Sequence, residues 1–575
     1  LSGLGPSPAR AVVAALALAV AAGGCAAPRY KRAPHDQQFQ RVVEPTLHEA
    51  PVQLKPTDWW DHFLFSTVSP AARLVSPATW VGWLVGGRKA LDVNAFGEVP
   101  DSPWFENRVG RGGFTAEDMF RGPATEGPPA DGPLTVVSGK PEGVSPGVVA
   151  RDAAGALWFV KFDPPAYLDL TTGAEVVAQR ILHAAGYHVP ETYLITIDLE
   201  RLRLAPGATT RDEYGRDKPL TQKALSVLLL QLNPNRDGRL RAFFSRAVPG
   251  RPLGPFSYRG ARLDDPNDTI VHERRRSLRG LWLFSAWLNN TDTRNQNTID
   301  TFIPVGDQDQ GYVRHYLLDF GDSLGASGDR EKKRSEGYQP RVPWRQMGIR
   351  TLALGFLYPY WLPTQRSQFR SVGMYESTYF DPGRWAPEFP NPAFEEATVR
   401  DTFWAATIAA RMGPELLAAA VDAGQYREPG AARYLRQQLL ARRNKILAMA
   451  FDRMPALVDP RVADGYRVEL DDLEKRARLL VGKEPSYEWQ VRWNRTGAVD
   501  PVLGQGEADA PVVDLRSIVT EIMNNRASDF VEDPYLTLSW WRRTGPERRR
   551  SARMDLYLRV VGRRVLPVGI YRETN

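Results

Sequence analysis

The sequence predicts an α+β chain, and three observations carry that prediction. Between residues 134 and 162, short β-branched and apolar runs alternate with Gly-rich turns, the pattern of successive strands. The middle of the chain, from about 270 to 288 and again from 395 to 453, repeats apolar residues at helical spacing. Beyond about Asp459 the pattern returns to short alternating strands, which predicts a small β-rich C-terminal domain of sandwich or barrel type.

Length and composition set the outer bounds. A chain of 575 residues has room for two to four domains, and 43% hydrophobic with 25% charged residues is a globular composition. The net charge of +7 is mild for this length and suits anionic surfaces or phosphates. No nucleic-acid motif accompanies it, so nucleic acid is not an expected partner. One cysteine, Cys25, excludes an internal disulfide and a thiolate metal site, and the seven histidines show no metal-ligand spacing.

The N-terminal elements follow in order. Arg10 precedes an apolar run, Ala11 to Ala22, of signal-peptide length and too short to span a bilayer. Ala22-Gly23-Gly24-Cys25 then resembles a bacterial lipobox. That resemblance implies a lipoprotein signal peptide with lipobox at residues 1–25, cleaved so that Cys25 is lipidated, becomes the mature N-terminus and attaches the chain to a membrane. Ala26, where an Asp would mark inner-membrane retention, favours an outer-membrane lipoprotein of the cell envelope. Residues 26–56 read as a polar tether, and 57–133 as an N-terminal extension pinned to the main domain by Trp104 and Phe105. Within it Leu64 to Gly87 is apolar but broken by Pro70, Arg73 and Pro77, which argues for packed surface helices or a membrane-facing patch.

Strand signals begin at Leu134–Ser138, continue past Val148, and reach Leu157–Phe162. The turn between the first two carries Gly139, Gly143 and Gly147, and glycines there let backbone N–H groups approach phosphate oxygens. Gly143-Val-Ser145-Pro-Gly147 also fits G-x-S-x-G, which leaves a remote reading as a serine hydrolase using Ser145; that motif needs a helix after the serine. Lys161 sits in an apolar strand, where an ammonium needs an anionic partner. A helix predicted from Thr172 to Ala185, capped by Thr171 or Thr172, offers Glu175 fourteen residues on. Glu191–Ile197 and Arg241–Val248 read as strands around an insertion with a helix near Gln222–Gln231.

A long helix, about Ile270 to Leu288, leads into Asn289-Asn290 and a loop with Asp292 and, five places on, Asn297. The strand Thr298–Ile303 and a second one, Tyr312–Leu318, then deliver Asp319-Phe320-Gly321. Farther on, Arg442-Arg443 with Lys445 reads as a solvated helix face. Arg542-Arg543 and Arg548–Arg550 beside Trp540-Trp541 read as a charged hairpin loop rather than an anion-binding patch.

Lys161, Glu175, Asp292, Asn297 and Asp319, in this order, resemble the polar positions of the protein-kinase-like superfamily, closest to its atypical HipA-like and lipid-kinase-like branches. The resemblance covers about residues 134–450. It implies a two-lobed fold, a small lobe at 134–255 and a large lobe at 256–458, followed by the β-rich domain at 459–575. It further implies ATP and Mg²⁺ as cofactors. Lys161 would hold phosphates, Glu175 would position Lys161, Asp292 would be the base, and Asn297 and Asp319 would bind the metal. The glycine positions 139, 143 and 147 would lie against the nucleotide. Three departures stand out: Asn290-Thr291 replaces the usual His-Arg, no Ala-Pro-Glu follows, and the glycine spacing is its own. Two functions follow as expectations. One is a membrane-anchored phosphotransferase acting on a hydroxyl of an envelope protein, lipid or glycan; the other is an inactive pseudokinase or envelope scaffold.

Overall fold

A computed structural model of the chain describes residues 42–53, 89–140, 145–211, 216–232, 239–306, 309–353, 356–480, 484–494, 501–526, 534–545 and 549–574. The expected leader with Cys25, the apolar stretch 64–87 and the loop glycine Gly143 lie outside the described residues. The fold is α+β, as the sequence predicts, and divides into two compact units. The larger comprises Gln40–Val458 with Asp471–Glu484, and the smaller Asp459–Leu470 with Pro485–Arg572. No helix among the described residues is long and apolar enough to cross a membrane.

Among the described residues the larger unit contains two main sheets and a short two-stranded ladder, Ala326–Ser327 with Arg330–Glu331. A four-stranded sheet holds β1 (His48–Glu49), and a seven-stranded one begins with β2 (Leu134–Gly139), β3 (Gly147–Arg151) and β4 (Leu157–Phe162). The latter continues with β5 (Thr192–Asp198), β6 (Leu202–Arg211), β7 (Asp217–Pro219) and β8 (Arg239–Arg246), in the order β5-β8-β4-β3-β2-β6-β7. All its pairs are antiparallel except β2 with β6. The sequence reading assigns the insertion only a helix, yet it also contains β6 and β7. A parallel partner far along the chain leaves no local turn signal.

Strand periodicity divides the sheet residues between two faces. Trp158, Val160, Phe162, Ala242 and Phe244 share one core with Leu225 of α3 (Gln222–Gln231). The intervening Lys161 pairs in register with Phe243, and Phe243 packs with Leu194, Ala423 and Val176 of α2 (Leu170–Ala185). The alternation thus turns Lys161 toward α2. A short helix, α1 (Ala116–Arg121), precedes the sheet in the chain.

The start of α2 differs from the expected Thr171 or Thr172 cap. Asp169 is the N-cap, in a left-handed conformation at φ 65°, and both threonines lie inside the helix. Asp163, just past β4, supplies the acceptors: its carboxylate takes the N–H of Thr172 at 2.9 Å and of Asp169 at 3.0 Å. The helix therefore starts earlier, and Glu175 occupies its second turn.

The second sheet runs β1-β11-β10-β9, with β9 (Arg251–Gly254), β10 (Thr298–Pro304) and β11 (Gln310–Leu317). The long predicted helix is instead a single 3-10 turn, His272–Arg274, followed by α4 (Arg276–Leu288). Arg275 interrupts the two because its backbone is extended while its guanidinium is drawn to Asp268, 2.6 Å away, and over Trp104. Trp104 and Phe105 are buried in the main core, Trp104 stacked on His315 at 3.5 Å. Farther on come α5 (Trp344–Leu352), α6 (Pro392–Glu395), α7 (Val399–Arg411), α8 (Pro414–Ala423) and α9 (Pro429–Arg453). Helices α4, α7, α8 and α9 contribute residues such as Phe284, Trp287, Phe403, Leu417 and Leu439 to that core.

The expectation of a solvated face at Arg442-Arg443 is overturned. Both are 3% exposed. Arg443 donates to the Met412 carbonyl. Arg442 donates to the carbonyls of Ala286 and Trp287 at the end of α4 and lies over the Phe380 ring at 3.6 Å.

The smaller unit carries the strands Ser486–Trp493, Val502–Ala508, Tyr535–Thr544, Met554–Val561 and Arg564–Arg572 in one sheet. It also contains a helix, Arg516–Arg526, which the strand-like reading of this region missed. Arg542 and Arg543 belong to a strand rather than a loop, Arg542 being buried. Arg543 and Arg550 both pair with Glu488.

Candidate functional site

The site is assembled where β4, α2 and the end of β11 meet. Lys161 Nζ donates to both Glu175 oxygens at 2.9 Å and to Asp319 Oδ1 at 2.8 Å. The structure brings these three predicted residues, 158 positions apart at their widest, onto one ammonium. Gly321 explains part of the geometry. A Cβ there would stand 2.9 Å from Glu175 Oε2, and the N–H of the preceding Phe320 donates to Glu175 Oε1 at 3.2 Å. Asp-Phe-Gly is therefore read by its neighbours residue by residue: the Asp meets the lysine, the Phe amide meets the glutamate, and the Gly leaves it room. Asp319 itself is left-handed at φ 53°, a conformation that aspartate tolerates better than most residues.

The electrostatics follow from burial and these contacts. Burial alone would lower the Lys161 ammonium, but the charges of Asp319 and Glu175 overcome it and hold it above the ordinary lysine value. Burial pushes the Asp319 carboxyl up, yet the Lys161 charge outweighs it and keeps the group below the usual carboxylate range. Glu175 is displaced upward, because its burial dominates. Asp319 is thus the firm anionic partner. Its side chain also remains 42% exposed toward solvent.

The loop after α4 brings the remaining pair. Asn289 caps the helix in a left-handed turn at φ 50°, with its side-chain oxygen accepting from Trp385 Nε1 at 3.0 Å. The Asn297 side-chain amide donates to the Asp292 carbonyl at 2.7 Å, and Leu318 N–H donates to the Asn297 carbonyl at 2.8 Å. The second bond continues the β10–β11 ladder by one step, so Asn297 and Asp319 lie at the same end of one hairpin. Arg294 pairs with Asp292: Nη2 donates to Oδ2 at 2.7 Å, while Nε lies 2.5 Å from Oδ1 without the alignment of a hydrogen bond. Burial raises the Asp292 carboxyl, Arg294 opposes the rise, and the charge of Asp322 adds to it. Asp322 is itself held by the fully buried Lys332 at 2.6 Å, which also donates to Thr291 Oγ1.

The glycines serve the sheet. A Cβ on Gly139 would strike Thr210 of β6, and one on Gly147 would strike the Val160 carbonyl oxygen. The Gly147 strand position faces Lys161 in register, and the Lys140 side chain passes beside it, with Cδ 3.4 Å from where a Cβ would stand. Burial lowers the Lys140 ammonium, the nearby Lys161 charge lowers it further, and Asp319 and Glu175 counter both. Lys140 is therefore a second cation at this site. Sequence reasoning passed over it although it directly follows Gly139; only the register shows where it lands. Arg294, two residues after Asp292, was missed because only the fold of the loop turns its side chain back on Asp292. Ser145 does not form a nucleophile elbow, because Pro146 leads into strand β3 and no helix follows.

No group of three or more His, Cys, Asp and Glu among the described residues is arranged to hold a metal ion. Mg²⁺ does not require one, since it binds through one or two protein oxygens, phosphates and water. Asn297 and Asp319 fit that demand. With the Asn297 amide nitrogen on the Asp292 carbonyl, its oxygen is the free branch, and Asp319 keeps a solvent-facing carboxylate.

No family model and no curated protein sequence matches the chain. Among solved structures, a Helicobacter pylori proinflammatory kinase, CtkA, is similar at 12% identity and TM-score 0.29, covering 56% of this chain and 97% of its own. The Golgi casein kinase is similar at 10% identity and TM-score 0.26, covering 70% of this chain and 96% of its own. These structural neighbours are kinases, at a similarity too low to carry weight by itself.

Proposed function

We propose that the larger unit is a two-lobed, kinase-like phosphotransferase that moves the γ-phosphoryl group of ATP to a hydroxyl. The observation that carries this reading is the clamp on Lys161 by Glu175 and Asp319. In this reading the seven-stranded sheet with α2 forms the small lobe, and α4 with α7 to α9 forms the large one. ATP, when bound with Mg²⁺, supplies the phosphoryl group and the charge neutralisation of its oxygens. Lys161 and Lys140 hold phosphate oxygens, and Glu175 orients Lys161. Asn297 and Asp319 hold the metal, while Asp292 accepts the proton of the attacking hydroxyl. With the lipobox-like leader read as an anchor, Cys25 would be the lipidated residue and the acceptor would be a protein, lipid or glycan of the cell envelope.

The pseudokinase or scaffold reading has one observation in its favour: Arg294 pairs with Asp292, its Nη2 donating to Oδ2 and its Nε crowding Oδ1, which has no hydrogen-bond partner of its own. A working enzyme must move that Nε aside so that Oδ1 can accept from the acceptor hydroxyl. Transfer of labelled phosphate from Mg²⁺-ATP to envelope material, with Asp292→Asn as the control, decides between the two. The active reading expects transfer that falls at least about 10²-fold in the variant while nucleotide still raises Tm. A nucleotide shift with no transfer in the wild type leaves the scaffold.

The pH profile gives a second check. A base must be deprotonated, and the Asp292 carboxyl lies above its ordinary value. Activity should therefore fall on acidification at a higher pH than a free aspartate would dictate. Arg294→Gln removes the cation that opposes the rise, so its acidic limb should move further up, by about one unit or more. Asp322→Asn removes a raising charge and should move it down. A limb that ignores both substitutions assigns the base elsewhere.

A further inference from the structure

From Arg341 to Met374 the chain contains five arginines and no aspartate or glutamate. The same stretch exposes large apolar side chains: Leu352 at 88%, Tyr358 at 82% and Phe356 at 81%, with Met347, Ile349 and Leu357 also exposed. Helix α5 and the turn after it therefore present apolar and aromatic groups outward, where soluble proteins rarely gather them. We propose that the described residues of 341–370 dock on an anionic lipid surface.

Charge selects this occupant. Arg350 and Arg370 have no carboxylate partner among the described residues. Arg341 and Arg366 are exposed and pair with Glu388 and Glu331. Exposed apolar side chains amid cationic ones are the pattern of segments that lie in the headgroup region, apolar groups inserted and guanidinium groups on phosphates. Amphipathic aromatics such as Tyr358 and Tyr360 favour the same interface. A second copy of the chain fits poorly. A two-fold contact sets a patch against itself, and this one would place arginines against arginines, with Glu331 and Glu388 already taken by Arg366 and Arg341.

The placement has a consequence for the site. The Arg341 N–H donates to the Glu388 carbonyl at 2.8 Å, and the Glu388 N–H donates to the Thr291 carbonyl at 2.9 Å. Thr291 precedes Asp292. The docking segment thus starts two hydrogen bonds from the proposed base. Resting on the phosphotransfer reading, this arrangement names the acceptor: a hydroxyl carried at the membrane surface, on a lipid headgroup.

The test is peptide-resolved hydrogen exchange of the full chain alone, with phosphatidylglycerol–phosphatidylethanolamine vesicles, and with phosphatidylcholine vesicles. Amides of α5 and of 356–362 should exchange about tenfold more slowly on the anionic vesicles alone, and high salt should abolish the difference. Leu352→Ser/Phe356→Ser/Tyr358→Ser should lose the protection with Tm unchanged, since these side chains are exposed. Arg350→Glu/Arg370→Glu should lose the preference for anionic vesicles. Equal exchange with and without anionic vesicles overturns the proposal. So does protection without vesicles that grows with protein concentration, because a second copy then covers the surface. No nucleotide is present, so failure of phosphotransfer leaves the docking result standing. Docking without transfer to headgroup hydroxyls removes only the acceptor assignment.

Discussion

A Lys161→Met variant should lose nucleotide-dependent stabilisation altogether and reduce phosphoryl transfer by about 10²-fold or more, the scale set by removing one oriented cationic donor from a water-poor site. The same change should cost stability in the absence of nucleotide. Glu175 is 3% exposed, and without the ammonium its carboxylate keeps the Phe320 amide as a donor but loses its cationic partner. Breaking a buried pair on one side costs about 3–5 kcal/mol, and the solvent-facing Asp319 places this case toward the lower figure. The pH dependence identifies the cause. Burial already raises Glu175, and the variant removes the opposing cation, so its folded-state pKa rises further. A carboxyl raised on folding contributes stability below its unfolded pKa that is lost as pH rises through the folded value. The deficit of the variant should therefore shrink in mild acid and grow toward neutral pH. Adding Glu175→Gln should recover much of the stability and none of the transfer. Urea denaturation read beside labelled transfer separates the two effects. Transfer that survives in Lys161→Met would sink the proposed chemistry.

What the sequence discloses about this site divides along physical lines. The run from β4 to α2 is legible because its information is local. Alternation exposes Lys161 as an anomaly in an apolar strand, and helical spacing offers Glu175 nearby. The hairpin that carries Asn297 and Asp319 is legible for the same reason, two adjacent apolar runs with a turn between them. Lys140 was not legible, because its position depends on the register that sets Gly147 opposite Lys161. Arg294 was not, since only the fold of the loop decides whether its side chain turns back on Asp292. The cap of α2 was misplaced because its acceptor, Asp163, comes from outside the helix. Arginines were the most misleading. A guanidinium can bury its length and satisfy several carbonyls at once, so Arg442 and Arg443 carry a surface residue's composition into the core.

Arg442→Leu is the substitution expected to cost the most stability. The guanidinium donates to Ala286 at 2.8 Å and to Trp287 and Glu376 at 3.0 Å, all three through backbone carbonyls. It also lies over the rings of Phe380 and Tyr375, 3.6 and 4.6 Å away. The first two acceptors belong to the last turn of α4, whose final carbonyls have no partner within the helix. A leucine fills much of the space but leaves buried acceptors without a charged donor, at about 1–3 kcal/mol for each that finds no substitute. Tyr375 already donates to the Trp287 carbonyl at 2.7 Å and the Asn289 N–H to that of Ala286 at 3.3 Å, so the Glu376 carbonyl and the two ring faces lose most. The sum falls at about 3–5 kcal/mol, and Arg442→Lys should recover less than half, because a single ammonium cannot reproduce a planar fork stacked on two rings. The consequence reaches the site through α4. Asn289, Asn290 and Asp292 follow directly from the turn that Arg442 holds, so loosening it should lower transfer in the molecules that remain folded. Nucleotide affinity should change far less, since Lys161, Glu175 and Asp319 are held by other elements. Calorimetric unfolding with single-turnover transfer checks both halves. A variant as stable as wild type would show that the α4 carbonyls find other donors, and that the arginine is not what fixes the loop.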